Sequence, residues 1–290
     1  MTVLVTGAAG YVGREVVAAL VGSGRDVRAL VHRSQGDPPE GVEHVHGDVT
    51  DAESLRAAAE GCEAIVHLVA ILNGSDTAFE AVNTGGARNA VDAARANGIH
   101  RIVHMCALGV SREHAPLTRY WGSKYAGKLA VTESDLDWTV IEPSFVFGNN
   151  GGALKTFESL LRPPLAPVIG DGRYRHQPVW IGDVATAFVR ALERPETIGR
   201  SYELGGPQVF EFNDLLDELA DVTGRKRRRK LHAPAGLMKA QAAVLQYFPP
   251  PLKVTREQIV MLLAGTECDL GPMRSELGIE PASIADAYVR

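Results

Sequence analysis

Short apolar runs alternate with stretches of helical periodicity through the first half of the chain. Thr2–Val5, Asp26–Val31, Val42–Val45, Ala64–Leu68, Arg101–Met105 and Trp138–Glu142 are runs that predict buried strands. Between them, Arg14–Gly22, Ser54–Glu60, Ala78–Ala96 and Lys124–Ser134 carry apolar residues at helical spacing. The third of these stretches ends at Asn97-Gly98, a natural helix stop. Strand and helix in this rhythm predict βαβ units. The expected fold class is α/β, a Rossmann-type doubly wound parallel sheet with a smaller mixed C-terminal substrate lobe.

After Pro143 the rhythm breaks. Arg162-Pro163-Pro164, Gly170-Asp171-Gly172 and Gly205-Gly206-Pro207 punctuate short strands and helices. Phe212–Thr223 and Ala235–Tyr247 read as amphipathic helices. The pattern predicts a dinucleotide-binding domain over 1–150 and a substrate lobe over 151–290. Residues 176–194 are expected to return to the main sheet, because Val179–Leu192 reads as a strand end followed by a helix.

Composition narrows the partners more than the fold. The chain has 290 residues, 45% hydrophobic and 22% charged, the profile of an ordinary globular protein. A net charge of -5 gives no general attraction to nucleic acid. Cys62, Cys106 and Cys268 form no CxxC pair, and the nine histidines show no metal-ligand spacing, so no metal site is expected. With no apolar run long enough to span a bilayer and no signal-peptide pattern, the expected location is cytoplasmic. Arg225-Lys226-Arg227-Arg228-Arg229-Lys230 is a dense basic run, read either as a solvated loop or as a contact for an anionic protein or peripheral membrane partner.

The candidate chemistry begins directly after the first strand. Gly7-Ala8-Ala9-Gly10-Tyr11-Val12-Gly13 places three glycines between a strand and a helix. One allows the tight turn, one admits backbone N–H groups to a pyrophosphate, and the last brings helix and strand together. Gly7, Ala9, Gly10, Tyr11, Val12 and Gly13 are therefore candidate dinucleotide-binding residues. The second strand ends Val31-His32-Arg33 without a carboxylate for a ribose 2′-hydroxyl, whereas Arg33 offers a bidentate partner for a 2′-phosphate. NADP(H) is the preferred cofactor on this reading and NAD(H) the alternative.

The TGxxGxxG spacing resembles the short-chain dehydrogenase/reductase superfamily, and further motifs extend that resemblance over nearly the whole chain. Gly47-Asp48-Val49 looks like the family segment whose aspartate contacts the adenine amine, which implies cofactor roles for Asp48 and Val49. The stretch His67-Leu68-Val69-Ala70 is similar to the one lining the adenine ribose, implicating Leu68, Val69 and Ala70. Asn83, Gly86 and Asn89 match the pattern of the central helix. Tyr120-Trp121-Gly122-Ser123-Lys124 matches YxxxK. Pro143-Ser144-Phe145-Val146 resembles the loop near the nicotinamide, implicating Pro143, Ser144 and Val146. A narrower likeness, through His67–Leu72, Val103–Gly109 and Tyr202–Pro207, points to the atypical group that includes the NADPH-binding accessory subunit of respiratory complex I and its bacterial relatives.

Tyr120 and Lys124 lie four residues apart, so on a helix they face the same way. A nearby ammonium favours the phenolate, which suits Tyr120 to general acid/base work. The resemblance implies that Lys124 also binds the nicotinamide ribose. Family members with reductase activity carry a serine or threonine after the fifth strand, where this chain has Cys106-Ala107-Leu108, with Ser111 further on. Two readings follow. One is an NADPH-dependent oxidoreductase acting on a small carbonyl or quinone-like substrate. The other is a non-catalytic NADPH-binding structural or redox-sensing module. A nucleotide-sugar epimerase shares the fold, but the missing acid at the second strand end counts against it.

Overall fold

A computed structural model of the protein describes residues 1–32, 42–148, 151–234, 236 and 255–289. The predicted helix Ala235–Tyr247 and the predicted cofactor residue Arg33 fall outside the described residues. Two compact units emerge: Met1–Pro143 with Ile181–Leu204 and Leu270–Glu280, and Ser144–Trp180 with Gly205–Asp269 and Pro281–Arg290.

The first unit holds β1 (Thr2–Thr6), α1 (Tyr11–Gly22), β2 (Asp26–Val31), β3 (Glu43–His46), α2 (Ala52–Ala58), β4 (Ala64–His67), α3 (Asp76–Phe79), α4 (Gly86–Ala96), β5 (Arg101–Met105), α5 (Arg119–Thr132) and β6 (Asp137–Pro143). The second unit adds β7 (Val146–Gly148), α6 (Gly152–Ser159), β8 (Leu165–Ile169), β9 (Arg175–His176) and β10 (Val179–Trp180). The chain then returns to the first unit with α7 (Ile181–Glu193) and β11 (Arg200–Leu204). It closes the second unit with β12 (Phe210–Glu211), α8 (Phe212–Val222) and β13 (Arg229–Ala233).

Seven parallel strands form the main sheet in the order β11-β6-β5-β4-β1-β2-β3. The order reverses between β1 and β4, where open α/β sheets form their ligand crevice. Strand pleating explains the layering. Leu4, Ile65 and Ile102 are register neighbours on one face, buried in a core that includes Leu55 of α2 and Ala87, Ala90 and Ala94 of α4. Helices α1 and α7 pack on each other, as do α4 and α5.

Element boundaries differ from the pattern where side chains redefine them. The predicted helix Ala78–Ala96 begins earlier, at Asp76 behind the Ser75 cap, and passes through a π-helical turn at Glu80–Gly85. Helix α5 starts at Arg119 rather than Lys124, because Thr118 Oγ1 accepts the Trp121 N–H and caps it. Asp51 does the same for α2.

In the second unit β7 pairs with β10, β8 with β13, and β9 with β12. Phe147, Leu154, Val168, Phe212, Leu216 and Leu219 are part of its core. The basic run that follows α8 is largely absorbed inside this unit. Arg225 pairs with Glu158 at 2.8 Å, Lys230 with Asp217 at 2.5 Å, Arg227 with Asp221, and Arg228 donates to the Leu161 carbonyl. Among the described residues no helix is long and apolar enough to cross a membrane.

Candidate functional site

The glycine turn sits at the switch point. Gly7 has φ +75°, and a side-chain carbon on it would lie 3.2 Å from Val69 Cγ2 and 3.3 Å from Val69 N. Only glycine fits both the backbone and the space. Gly10 N donates to Gly7 O at 2.9 Å, closing the turn, and Gly10 then caps α1 without a side chain. The dipole of α1 favours an anion at this end of the helix. Ala9, Gly10, Tyr11 and Val12 are partly buried around this opening.

Beside the turn is a cleft of about 260 Å³ lined by Gly7, Leu30, His32, Gly47, Asp48, Val49, Thr50, Val69, Ala70, Ile71 and Val82. This is below the roughly 300–1,000 Å³ of whole-ligand sites and suits one end of a dinucleotide. The cleft brings together Gly7, Asp48, Val49, Val69 and Ala70 of the sequence candidates. Leu30, His32, Thr50, Ile71 and Val82 are added by the structure. Leu68 lies beneath the cleft rather than in its lining, buried and tied by its N–H to Thr6 at 3.3 Å.

Asp48 is held in place before any ligand arrives. Its Oδ1 accepts the Thr50 N–H at 2.9 Å, and its Oδ2 lies 3.3 Å from His32 Nε2. Burial alone would raise its pKa, but the Thr50 and His32 hydrogen bonds hold it below the usual carboxylate range. His32 thus occupies the end of β2, the position where a carboxylate would select a ribose 2′-hydroxyl.

Asn83 is buried inside the π-helical turn, with its side chain fully engaged. Its Oδ1 accepts the Ile71 N–H at 2.8 Å, and its Nδ2 donates to Ile71 O at 3.2 Å and Ser123 Oγ at 2.9 Å. Asn83 therefore fixes the loop after β4 to the start of α5. Sequence reasoning could not show that partner, because the contact spans 40 residues.

Tyr120 and Lys124 sit one turn apart on α5. Lys124 is 2% exposed and its Nζ donates to Met105 O, at the end of β5, at 2.5 Å. Burial lowers the pKa of this lysine, while the Cys106 thiol and the Glu142 carboxylate oppose the shift. The Tyr120 phenol is pushed up, by burial first and by the Cys106 thiol second. The phenolate that Lys124 was expected to favour finds no support in the free protein: burial and the Cys106 thiol both hold the proton on Tyr120. That suits it to donate a proton.

Cys106 is buried, its pKa raised by that burial to about 11, and its Sγ lies 4.0 Å from the Lys124 carbonyl oxygen. An inert, inward thiol stands where the family has a hydroxyl. Further along, Ser111 Oγ accepts the His114 N–H at 3.2 Å, which leaves its own O–H to donate. Pro143 ends β6 in the first unit, and its carbonyl accepts the Leu108 N–H at 3.0 Å. Ser144 and Val146 belong to the second unit. There Ser144 Oγ bonds Thr266 Oγ1 at 2.9 Å, and Val146 pairs with Val179.

Buried histidines give the site's scaffold a pH limit. Burial pushes His67 down to about 3, His176 down to about 4, and His104 well below its ordinary value. Each is proton-free in the fold but takes up a proton on unfolding below about pH 6.5. Stability is full above that pH and falls as pH drops below it, by about 2 kcal/mol per histidine at pH 5. Urea unfolding at pH 7 and pH 5 should show this loss, and His67→Gln should reduce it.

A parallel sheet with its switch-point crevice, a glycine cradle and an adenosine-sized cleft defines a Rossmann-type nucleotide-binding protein. The NAD(P)H-binding family model matches residues 7–195, and the chain belongs to that family, within the short-chain dehydrogenase/reductase and epimerase superfamily. It is 30% identical to ceramide reductase of Caulobacter vibrioides over 83% of this chain and 77% of that protein. It is 28% identical to NADH dehydrogenase [ubiquinone] 1 alpha subcomplex subunit 9 of Arabidopsis thaliana, over 82% of this chain and 62% of that one. The fold superposes on a Streptomyces venezuelae dTDP-glucose 4,6-dehydratase solved with NAD, with a TM-score of 0.75 and 22% identity over 100% of this chain and 96% of that one.

Proposed function

We propose that the protein is an NADPH-dependent oxidoreductase that reduces a carbonyl or quinone-like compound. The observation that carries this reading is the Tyr120–Lys124 pair on α5, with Lys124 anchored to Met105 O. The residues fit the cofactor, because the cradle at Gly7 and Gly10 leaves room that a side chain would fill. When bound, the cofactor supplies the hydride. Gly7, Ala9, Gly10, Tyr11, Val12 and Gly13 hold its pyrophosphate, while Asp48, Val49, Leu68, Val69 and Ala70 surround its adenosine end. Asn83 positions the Ala70-Ile71 backbone. Lys124 holds the ribose and orients Tyr120, which releases its phenolic proton to the substrate oxygen. Pro143, at the end of β6, flanks the nicotinamide end. The second unit supplies the substrate lobe, while Ile181–Leu204 and Leu270–Glu280, which the sequence pattern placed within 151–290, belong to the first unit. The reductase activity in the name of the ceramide relative supports an apolar substrate.

Arg33, just after the second strand in sequence, supports NADPH as the cofactor. Fluorescence titration should show tighter binding of NADPH than NADH, and Arg33→Ala should weaken NADPH by about 10-fold or more while sparing NADH. A wild-type preference for NADH would overturn the assignment. The second reading, NADPH binding without turnover, is favoured by one observation: the buried Cys106 in place of a hydroxyl donor. Three free cysteines, two of them buried, support a reducing compartment such as the cytoplasm.

A further inference from the structure

The face of the main sheet beneath α4 and α5 changes character along the strands. One rung is Leu4, Ile65 and Ile102, wholly apolar and buried. Two residues further on, the register neighbours on the same face are Thr6, His67 and His104, also buried. The two imidazoles stack with centroids 5.4 Å apart and planes 13° apart. Thr6 Oγ1 bonds His67 Nδ1 at 2.8 Å, but His67 Nε2 and both nitrogens of His104 have no partner among the described residues. Above them α4 crosses at Gly86, where a side-chain carbon would lie 3.8 Å from the His67 ring.

A packed core seldom keeps two histidines with three unmet nitrogens, since each such group costs about 1–3 kcal/mol. The Lys124 ammonium is anchored beside this rung, its Nζ held by the carbonyl of Met105, the residue after His104, and its charge acts on both rings. Lys124 is almost wholly buried, and the only hydrogen bond of its Nζ among the described residues goes to Met105 O. A cation in that position needs dipoles in place of bulk water. Carboxylate help is diverted: Glu142 is bound by both its oxygens to Lys128 at 2.9 and 3.0 Å.

We propose that Thr6, His67 and His104 form a neutral polar shelf whose dipoles solvate the buried Lys124 ammonium. His67 and His104 are then positioning residues that act through Lys124, and the inference deepens the role given to that lysine above. The groups that interact with Lys124 are His67 from β4, His104 from β5, Cys106 beyond β5 and Glu142 from β6, and Lys128 of the same helix acts on His104. Both imidazoles must stay neutral for this to work, because an imidazolium would repel the ammonium.

The test is NMR of the full chain without cofactor, so a failure of NADPH binding leaves its result standing. In wild type, 15N shifts should show His67 and His104 neutral between about pH 5 and 8. With 13C-labelled lysine, the Lys124 Cε midpoint should fall by about one pH unit in His104→Phe and return close to wild type in His104→Gln. The proposal is overturned if either ring becomes an imidazolium in that range, a measurement that needs no variant. It is equally overturned if the Lys124 midpoint is the same in His104→Phe as in wild type.

Discussion

Tyr120→Phe is expected to slow oxidation of bound NADPH by a carbonyl or quinone acceptor by about 10²–10⁴-fold while leaving NADPH affinity unchanged. The magnitude is that of losing a positioned general acid. The phenol is the group with a proton to give, since its pKa is raised by burial and by the Cys106 thiol. Its hydroxyl makes no hydrogen bond among the described residues, so its removal disturbs no internal network. The Thr118 cap and the Lys124–Met105 bond, which set the helix in place, remain in the variant. Stopped-flow absorbance with a panel of quinones and carbonyls reads the step directly. If an acceptor oxidises the cofactor equally fast in both proteins, Tyr120 is not the acid. If no acceptor does so in wild type, despite tight binding, the non-catalytic reading stands in its place.

The sheet and the glycine turn were legible in the sequence because they rest on local rules. Strands such as Thr2–Thr6 are short, apolar and bounded by glycine, and Gly7, Gly10 and Gly13 fall between strand and helix with no other use for that spacing. What local pattern does not show is which polar side chain meets which backbone. Asn83 reads as one polar residue in a long helix; only the fold places Ile71 opposite it and reveals the π-helical turn that aims it. His67 and His104 each look like a polar interruption of an apolar strand. Their pairing depends on register between β4 and β5, and registers are set by the whole sheet. The basic run after α8 reads in sequence either as a solvated loop or as a partner contact, and only the fold places Glu158, Asp217 and Asp221 beside it.

Gly13→Ala should be the most damaging single methyl group in the nucleotide cradle. A side-chain carbon at Gly13 would lie 2.0 Å from Gly7 O, 2.8 Å from Gly7 C and 2.9 Å from Ala8 Cα. All three are backbone atoms of the turn, so no rotamer change relieves the clash. Either α1 moves away from β1, or the turn closed by the Gly10–Gly7 hydrogen bond opens. Each course displaces the N–H groups that the pyrophosphate requires, and NADPH affinity is expected to fall by about 100-fold or more. Overpacking of this kind also costs about 1–3 kcal/mol of stability, readable by urea unfolding. Gly22, the last residue of the same helix, has nothing within 4 Å of its added carbon. Gly22→Ala should therefore leave binding intact and stabilise α1 slightly. The contrast separates the cradle from helix propensity: if Gly13→Ala binds NADPH as wild type does, close backbone approach at this turn is not what holds the cofactor.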